Sequence, residues 1–166
     1  MKHILKQTGL FWLWVSLLVV GSDQYTKHLI IDRFQLHESL PVIPMFSLTY
    51  HRNEGAAFSF LSDAGGWQLW FFSAIAFGVV SMLLFWLYQQ QRQAWRLNIA
   101  YTLIIGGAIG NVWDRLQYGY VVDFIDVYWQ QYHFPIFNIA DTAISIGAFM
   151  MILDAFFEIK QQKSKQ

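Results

Sequence analysis

Four stretches of the chain are dominated by apolar residues, and polar segments separate them. They cover approximately residues 8–26, 67–88, 97–114 and 138–158. A helix needs about 20 mostly apolar residues to cross the hydrocarbon core of a bilayer. The first and third stretches reach that length only when polar residues at their ends are included. The pattern predicts an all-α membrane protein with four transmembrane helices in a single domain of residues 1–166.

The connections between these stretches predict additional structure on one side of the membrane. In the connection at about 28–66, the apolar run 45–50 predicts a β-strand. A run at 56–61 is its predicted partner, across a turn at residues 53–55. The connection at about 115–137 is rich in Tyr and Trp and predicts irregular or extended structure at the membrane interface. We therefore expect a small outward-facing, β-structured cradle beside the helices.

Basic residues predict the orientation of the chain. Four spans bring three basic segments to one side of the membrane, with Lys2, Lys6, Arg92, Arg96, Lys160, Lys163 and Lys165. Lys and Arg are concentrated in cytoplasmic connections, so we expect this side and both termini to be cytoplasmic. Most acidic residues fall on the opposite side. The polar chemistry of the chain is therefore expected at the outer face.

The first stretch could alternatively be a cleavable signal peptide. Lys2 and Lys6 precede the apolar run, and the small residues Val20-Gly21-Ser22 would make an acceptable cleavage site. The three later spans favour a retained membrane anchor, because the rest of the chain is then itself a membrane protein.

Composition excludes several classes of function. Charged residues make up only 13% of the chain and the formal net charge is zero, so we expect no nucleic-acid partner. The chain has no cysteine, which excludes disulfides, thiolate catalysis and cysteine-ligated zinc. The histidines show no ligand spacing, so we expect no metal and no cofactor. They are His3, His28, His37, His51 and His133.

Polar residues at the ends of the third and fourth stretches are candidates for function. Ionisable groups inside or at the edge of a span are costly, which makes each a functional candidate. Asn111, Asp114 and Arg115 stand at i, i+3 and i+4 and therefore share one helix face. Asn138 and Asp141 share a face in the same way at the start of the fourth stretch.

Small residues are expected to bring these helix ends together. Gly106 and Gly110 form a small-xxx-small pattern that lets another helix approach closely. Gly147 could have the same function on the fourth span. Helices packed in this way would gather their polar ends at the outer interface.

Asp123 lies in an apolar context between these helix ends, and Asp141 has similar surroundings. Two carboxylates in adjacent positions of low dielectric tend to share one proton. Such a pair can hydrolyse a peptide bond, because the ionised member takes a proton from water while the protonated member polarises the scissile carbonyl. Spacing alone also leaves Asp114 and Asp126 as candidates for such a pair.

Each of these residues has a structural explanation as well. Asp141 could be a first-turn acid favoured by the helix dipole. We expect Asp114 and Arg115 to form an ion pair at the interface. Asn111 could simply join helices by hydrogen bonds, and Asp126 is expected to be a solvated loop residue. A transporter with these groups along an ion path, or a non-enzymatic assembly factor, remains a rival class.

Motifs along nearly the whole chain resemble those of the lipoprotein signal peptidase family, also called signal peptidase II. They are, in order, Asp23-Gln24-Tyr25-Thr26-Lys27, Asn53-Glu54-Gly55-Ala56-Ala57-Phe58-Ser59, Gly110-Asn111-Val112-Trp113-Asp114-Arg115, Val122-Asp123-Phe124 and Phe137-Asn138-Ile139-Ala140-Asp141. The first motif also favours a retained first helix, because cleavage after Ser22 would separate that helix from the motif.

The resemblance implies a bacterial inner-membrane aspartic endopeptidase with four transmembrane helices, a periplasmic cradle and an active site at the periplasmic face. Its implied substrate is a prolipoprotein with a diacylglyceryl group on the cysteine that follows the cleavage site. Membrane lipids are the other expected partner, and we expect the chain to act as a monomer.

The resemblance also assigns roles to individual residues of this sequence. Asp123 and Asp141 correspond to the catalytic pair. Residues expected to support the substrate or the pair are Asn53, Asn111, Arg115, Asn138, Asp23, Lys27 and Asp114.

Overall fold

The computed structural model describes residues 7–55 and 66–163 of the chain. These residues form helices and a small antiparallel sheet. In chain order, the elements are a 3-10 turn (Gly9–Trp12), α1 (Leu13–Arg33), β1 (Ser39–Ile43), β2 (Phe46–Asn53), α2 (Trp67–Gln89), α3 (Trp95–Tyr118), β3 (Val121–Trp129), β4 (Tyr132–His133) and α4 (Ile139–Lys163).

Two of the described helices are long and apolar enough to be candidate membrane spans. These are α2 and the part of α4 from Ile139 to Glu158. Large apolar side chains on both helices are exposed, among them Phe77 and Phe149. Large apolar patches on a protein surface mark sites that contact lipid or another protein. The outward faces of both helices are therefore suited to lipid.

α1 is longer than the hydropathy pattern predicts. The expected end was residue 26, but the helix continues to Arg33. Asp23, Lys27 and Ile30 are buried along it. These positions recur every three to four residues, so they form one face that packs inward. The helix remains regular beyond its apolar stretch because its polar residues have partners inside the protein.

The sheet has the order β1-β2-β3-β4, and each neighbouring pair is antiparallel. β2 contains the predicted strand at 45–50 and pairs with β1 and β3. The partner predicted at 56–61 lies outside the described residues. The extended structure expected within 115–137 is an ordered strand, β3, which is buried from Val121 to Phe124.

Two apolar clusters hold the elements together. Ile30, Tyr50, Val122 and Phe124 join the end of α1 to the sheet. A second cluster, which includes Leu87, lies between α2 and α3. Burying a large aliphatic or aromatic side chain contributes about 1.5–3 kcal/mol relative to leaving it exposed. The first cluster fixes the sheet against the helix that carries Asp23 and Lys27.

Glycines bring α3 close to α1, as the small-residue pattern predicted. A Cβ atom added at Gly106 would lie 2.8 Å from Cβ of Val19. One added at Gly110 would lie 2.7 Å from Oδ2 of Asp23. A larger residue at either position would push the two helices apart.

Glycines also form the contact between α3 and α4. A Cβ atom added at Gly147 would lie 2.6 Å from the carbonyl oxygen of Ala100. Gly107, which the sequence pattern did not single out, faces Ala140 and Ile144 in the first turns of α4. This contact holds the start of α4 against the C-terminal half of α3.

Candidate active site

Phe137 fixes the start of α4 beside β3. Its carbonyl oxygen accepts the backbone N–H of Phe124 at 3.0 Å and that of Ile125 at 2.7 Å. Its own N–H donates to the carbonyl oxygen of Ile125 at 3.2 Å. The next residue, Asn138, is therefore held next to Asp123 on the strand.

Asp123 is 1% exposed and accepts hydrogen bonds on both of its carboxyl oxygens. Nδ2 of Asn53 donates to Oδ2 at 3.0 Å, and Nδ2 of Asn138 donates to Oδ1 at 2.7 Å. Burial raises the pKa of Asp123, and the nearby charge of Asp141 raises it further, to about 7. Loss of hydration disfavours the ionised carboxylate, so this carboxyl keeps a proton at a pH where an exposed aspartate has lost it.

Asp141 lies in the first turn of α4 and also accepts two hydrogen bonds. Nδ2 of Asn111 donates to Oδ1 at 2.7 Å, and the backbone N–H of Asn138 donates to Oδ2 at 3.3 Å. The backbone N–H of Asp141 in turn donates to Oδ1 of Asn138 at 2.8 Å. The positive end of the helix dipole favours an anion at this position. The first-turn role weighed from the sequence is thus present in the structure.

Both aspartates line one cavity of about 580 Å³, which we call the helix-side cavity. Asn53, Asn111 and Arg115 also line it. Its remaining wall is largely apolar and comes from β3, from the segment before α4 and from α4 itself. The cavity therefore combines two carboxylates with space for an apolar ligand.

Lys27 is buried between two carboxylates behind this cavity. Its Nζ atom lies 2.8 Å from Oδ2 of Asp23 and 2.9 Å from Oδ2 of Asp114. It also donates to Oδ1 of Asn111 at 3.0 Å. Because this oxygen faces Lys27, the amide nitrogen of Asn111 is directed at Asp141. The buried ion cluster thus sets the orientation of a group that contacts the aspartate.

The carboxylates of this cluster also bind backbone groups of neighbouring elements. Oδ1 of Asp23 accepts the N–H of Ala140 at 2.9 Å, at the start of α4. Oδ2 of Asp114 accepts the N–H of Val122 at 3.1 Å, on β3. The cluster therefore connects α1 and α3 to both chain segments that carry the aspartates.

The prediction of an ion pair between Asp114 and Arg115 is wrong. Asp114 pairs with Lys27, because its side chain faces α1, and Gln24 donates to its other oxygen at 2.8 Å. Arg115 instead donates to the carbonyl oxygen of Gly55 at 3.0 Å and contributes to the wall of the helix-side cavity. Successive residues on a helix point in different directions, and here they reach different partners.

The expectation of a solvated Asp126 is also wrong. Its side chain is buried, and its Oδ1 lies 2.8 Å from Nδ1 of His133. Thr49 donates to the other oxygen at 3.1 Å. Asp126 is not among the residues that line the helix-side cavity. Of the four carboxylates that spacing left open, Asp123 and Asp141 are the two that share this cavity.

Two histidines that showed no pattern in the sequence lie beside Asp123. His51 is opposite Asp123 in the register of β2 and β3. His51, His133 and Asp123 line a second cavity of about 330 Å³, which we call the sheet-side cavity. Burial lowers the pKa of His51, and the nearby His37 lowers it further. The sequence carried no signal for this arrangement, because it depends on the pairing of strands far apart in the chain.

Comparison with known families and proteins gives a consistent match. The family pattern described as signal peptidase (SPase) II matches residues 15–157. A lipoprotein signal peptidase of Shewanella piezotolerans is 56% identical over 158 residues, which cover 95% of this chain and 93% of that protein. One of Shewanella woodyi is 57% identical over 150 residues, which cover 90% and 85%.

Two solved structures share the fold. One, described as a bacterial membrane enzyme structure obtained by the in meso method at 2.3 Å resolution, has a TM-score of 0.84 and 34% identity. The match covers 94% of this chain and 93% of the chain in that structure. The other, at 1.9 Å resolution, has a TM-score of 0.76 and 35% identity, and covers 87% and 92%.

Proposed function

The chain belongs to the signal peptidase II family of peptidases, and from this premise we propose that Asp123 and Asp141 activate the water that cleaves its substrate. Peptide-bond hydrolysis is the activity of the family. Because the chain belongs to this family, nothing now favours the transporter or the assembly factor that the sequence left open.

The substrate in this proposal is a prolipoprotein with a diacylglyceryl group on the cysteine that follows the cleavage site. The similar proteins bear the name lipoprotein signal peptidase, and the five motifs resemble that family. A lipid on the substrate keeps the bond to be cleaved at the membrane surface. Asp141 in the first turn of a candidate span, and Asp123 on the adjacent strand, suit a bond at that depth.

One observation carries the proposal: both carboxylates line the same cavity and are held by side-chain amides. Asn53 and Asn138 donate to Asp123, and Asn111 donates to Asp141. Groups held in position before the substrate arrives need no reorganisation during the reaction, which is a major source of enzymatic rate enhancement.

The two aspartates take different roles at neutral pH. Asp123 is the member that carries the proton in the reactive form, because burial and the charge of its partner raise its pKa to about 7, so that a large fraction is protonated at neutral pH. Asp141 is the ionised member in this proposal, because it lies in the first turn of α4, where the helix dipole favours an anion. Pairs of carboxyl groups whose environments differ in this way commonly act as acid and base.

Hydrolysis then proceeds in two steps. Asp141 takes a proton from the water as its oxygen attacks the scissile carbonyl carbon, and Asp123 gives its proton to the carbonyl oxygen. In the second step Asp141 transfers its proton to the leaving nitrogen, and Asp123 recovers a proton from one hydroxyl group as the C–N bond breaks. The released amine is that of the lipid-bearing cysteine, and both aspartates return to their starting states.

All four long helices cross the membrane in this proposal. α1 has 21 residues and α3 has 24. At 1.5 Å per residue they are about 31 and 36 Å long, against a hydrocarbon core of about 30 Å. Their charges at Asp23, Lys27 and Asp114 are buried against other helices, so lipid does not contact them.

The enzyme lies in the bacterial inner membrane with the sheet and the aspartates at the periplasmic face. Arg92, between α2 and α3, and Arg96, in the first turn of α3, then face the cytoplasm with both termini, as the positive-inside rule requires. Both aspartates and the three amides come from one chain, so a monomer is sufficient for catalysis.

The test is cleavage of a diacylglyceryl-modified prolipoprotein by the purified protein. Asp123→Asn and Asp141→Asn should each lower kcat by about a thousandfold or more, since each removes an acid or base from the reaction. Asp32→Asn, which changes an exposed carboxylate of α1, should leave kcat unchanged. Thermal unfolding in detergent would verify that each variant is folded. Normal cleavage by either active-site variant would contradict the assignment of the pair.

A further inference from the structure

Two cavities meet at Asp123. The helix-side cavity and the sheet-side cavity share Asn53, Asp123 and the short segment Phe134, Pro135 and Ile136. A peptide bond held at the aspartates would therefore have one flank of its chain in each cavity. This inference rests on the proposed cleavage at Asp123 and Asp141.

The walls of the two cavities differ in chemistry. Ile144 and Ile146 of α4 line the helix-side cavity, on a helix apolar enough to span a membrane. The imidazoles of His51 and His133 line the sheet-side cavity, whose lining residues all lie outside the candidate spans. Apolar walls suit the apolar signal segment and the lipid, whereas imidazoles suit a polypeptide that continues into water.

The partly exposed ring of His133 is held by two contacts. Its Nδ1–H donates to the buried carboxylate of Asp126 at 2.8 Å, since an ionised carboxylate can only accept. Its ring is stacked on Tyr128, with centroids 5.0 Å apart and an interplanar angle of 22°. Thr49 holds Asp126 from the other side. Ring plane and tautomer are thus both fixed.

This arrangement leaves one hydrogen-bonding atom of the ring for a ligand. When the ring carries a single proton and that proton is on Nδ1, its Nε2 is an acceptor. Among the residues that the structure describes, Nε2 has no partner, and the side chain of His133 is 54% exposed. A fixed acceptor on the wall of a cavity next to Asp123 suits a backbone amide of an extended peptide.

We propose that the sheet-side cavity is the subsite for the residues that follow the lipid-bearing cysteine, and that His133 accepts a backbone N–H of that segment. Asp126 is a positioning residue that holds the ring of His133. His51, which pairs with Asp123 in the strand register, also lines this cavity. The subsite therefore recognises the main chain of the mature lipoprotein rather than its lipid.

The first experiment couples substrate length to the histidine. Lipid-modified substrates that end one to five residues after the cysteine would be cleaved by the unaltered enzyme and by His133→Phe, which keeps an aromatic ring but removes both nitrogens. For the unaltered enzyme, kcat/KM should rise by about 3- to 10-fold at one extension step, the factor for a single hydrogen bond. This rise in kcat/KM should come mainly from a lower KM. The His133→Phe variant should show no rise at that extension step.

The length series separates this inference from the proposed function. Methylation of the amide nitrogen added at that step should lower kcat/KM for the unaltered enzyme and leave His133→Phe unaffected. His28→Gln, on the exposed surface of α1, should behave as the unaltered enzyme does. An equal loss at every length, or no loss, would overturn the role of His133 even though cleavage itself continued.

A second experiment does not depend on the folding of the His133 variant. Asp141→Asn would bind full-length lipid-modified substrates that carry a photo-crosslinker either two residues after the cysteine or two residues before it. The first probe should label His51 or His133, which line the sheet-side cavity and not the helix-side cavity, and the second should label Ile144 or Ile146. Labelling in the reverse pattern would overturn the proposal.

Discussion

At the scale of single residues, Asn138 serves both aspartates at once. Its Nδ2 donates to Asp123, its backbone N–H donates to Asp141, and its Oδ1 accepts the N–H of Asp141. One side chain therefore sets the relative position of the two carboxyl groups. It is itself fully buried, so water does not compete for these hydrogen bonds.

Asp123 makes the stability of the fold depend on pH. In the folded chain it keeps its proton up to about pH 7, whereas an unfolded aspartate releases it near the ordinary value of 3.8. The folded state binds more protons between these values, so stability falls as pH rises from about 4 to 7 and the loss is complete above that range. Asp123→Asn removes this penalty, which amounts to as much as about 4 kcal/mol.

Unfolding in detergent at pH 4.5 and pH 8 measures the effect. The stability of Asp123→Asn relative to the unaltered protein should be higher at pH 8 than at pH 4.5. Any hydrogen bond that the Asn side chain fails to make costs the same at both pH values and cancels in this comparison. Asp32→Asn serves as the control with an exposed carboxylate. If the difference in stability between Asp123→Asn and the unaltered protein were the same at both pH values, Asp123 would titrate like an exposed group.

At this scale the sequence identified polar residues but not their partners. Asp114 was a candidate because a charge at the edge of an apolar segment is rare and costly. Its partner is Lys27 because α1 and α3 pack side by side, a contact that spacing within one helix cannot reveal. The role of His133 beside Asp126 was missed for the same reason.

At the scale of elements, α3 is the helix on which the other helices pack. Gly106 faces α1, Gly107 faces α4, and Tyr101 and Ile105 pack with residues of α2. Three different faces of one helix are thus in contact. Because Gly107 meets the first turns of α4, the spacing of these two helices also sets the position of Asp141.

Gly107→Ala should therefore damage both the fold and the active site. The added Cβ would meet the carbonyl oxygen of Ala140 and lie 2.7 Å from Cγ1 of Ile144. Overpacking of this kind typically costs about 1–3 kcal/mol. We also expect kcat to fall, because the first turn of α4 would move away from β3.

Gly78→Ala is the matched control for this substitution. Gly78 lies within α2, and a Cβ there would meet nothing within 4 Å. Alanine is favoured over glycine inside a helix by roughly 0.5–1 kcal/mol, so this variant should be as stable as the unaltered protein or more so. Thermal unfolding and cleavage assays would compare the two. If Gly107→Ala kept full stability and activity, the contact would not be as close as described.

The helices could be located from the sequence, but the strand that carries Asp123 could not. Apolar stretches of about 20 residues predict helices independently of their neighbours. β3 is buried on both faces from Val121 to Phe124, so it lacks the alternation that identifies a strand in a sequence. Its pairing with β2, which brings His51 opposite Asp123, is a long-range contact.

At the scale of the whole molecule, polar chemistry is concentrated at one end. The sheet, both aspartates and the Lys27 cluster share this end. Arg92, in the connection between α2 and α3, and Arg96, in the first turn of α3, lie at the other end. Hydropathy alone selects α2 and α4 as spans. α1 and α3 carry charges whose burial only the fold reveals.

The proposed topology can be tested with single cysteines, because the chain has none of its own. Gln131→Cys lies in the turn between β3 and β4, and Gln93→Cys lies in the connection between α2 and α3; both positions are exposed. A maleimide that does not cross membranes should label Gln131→Cys in intact spheroplasts. It should label Gln93→Cys only after the membrane is opened. The opposite result would reverse the orientation.

The pair of Asp23 and Lys27 has a consequence for how the chain enters the membrane during synthesis. The two residues stand one helical turn apart, with their charged atoms 2.8 Å from each other. In the proposed four-span topology, α1 therefore carries its own counterion into the bilayer before α3 has been made. α3 follows with Asp114 and Arg115 as neighbours in sequence. When the helices dock, Asp114 reaches Lys27 and the guanidinium of Arg115 is left to bind Gly55, so these contacts form only once α3 has packed against α1.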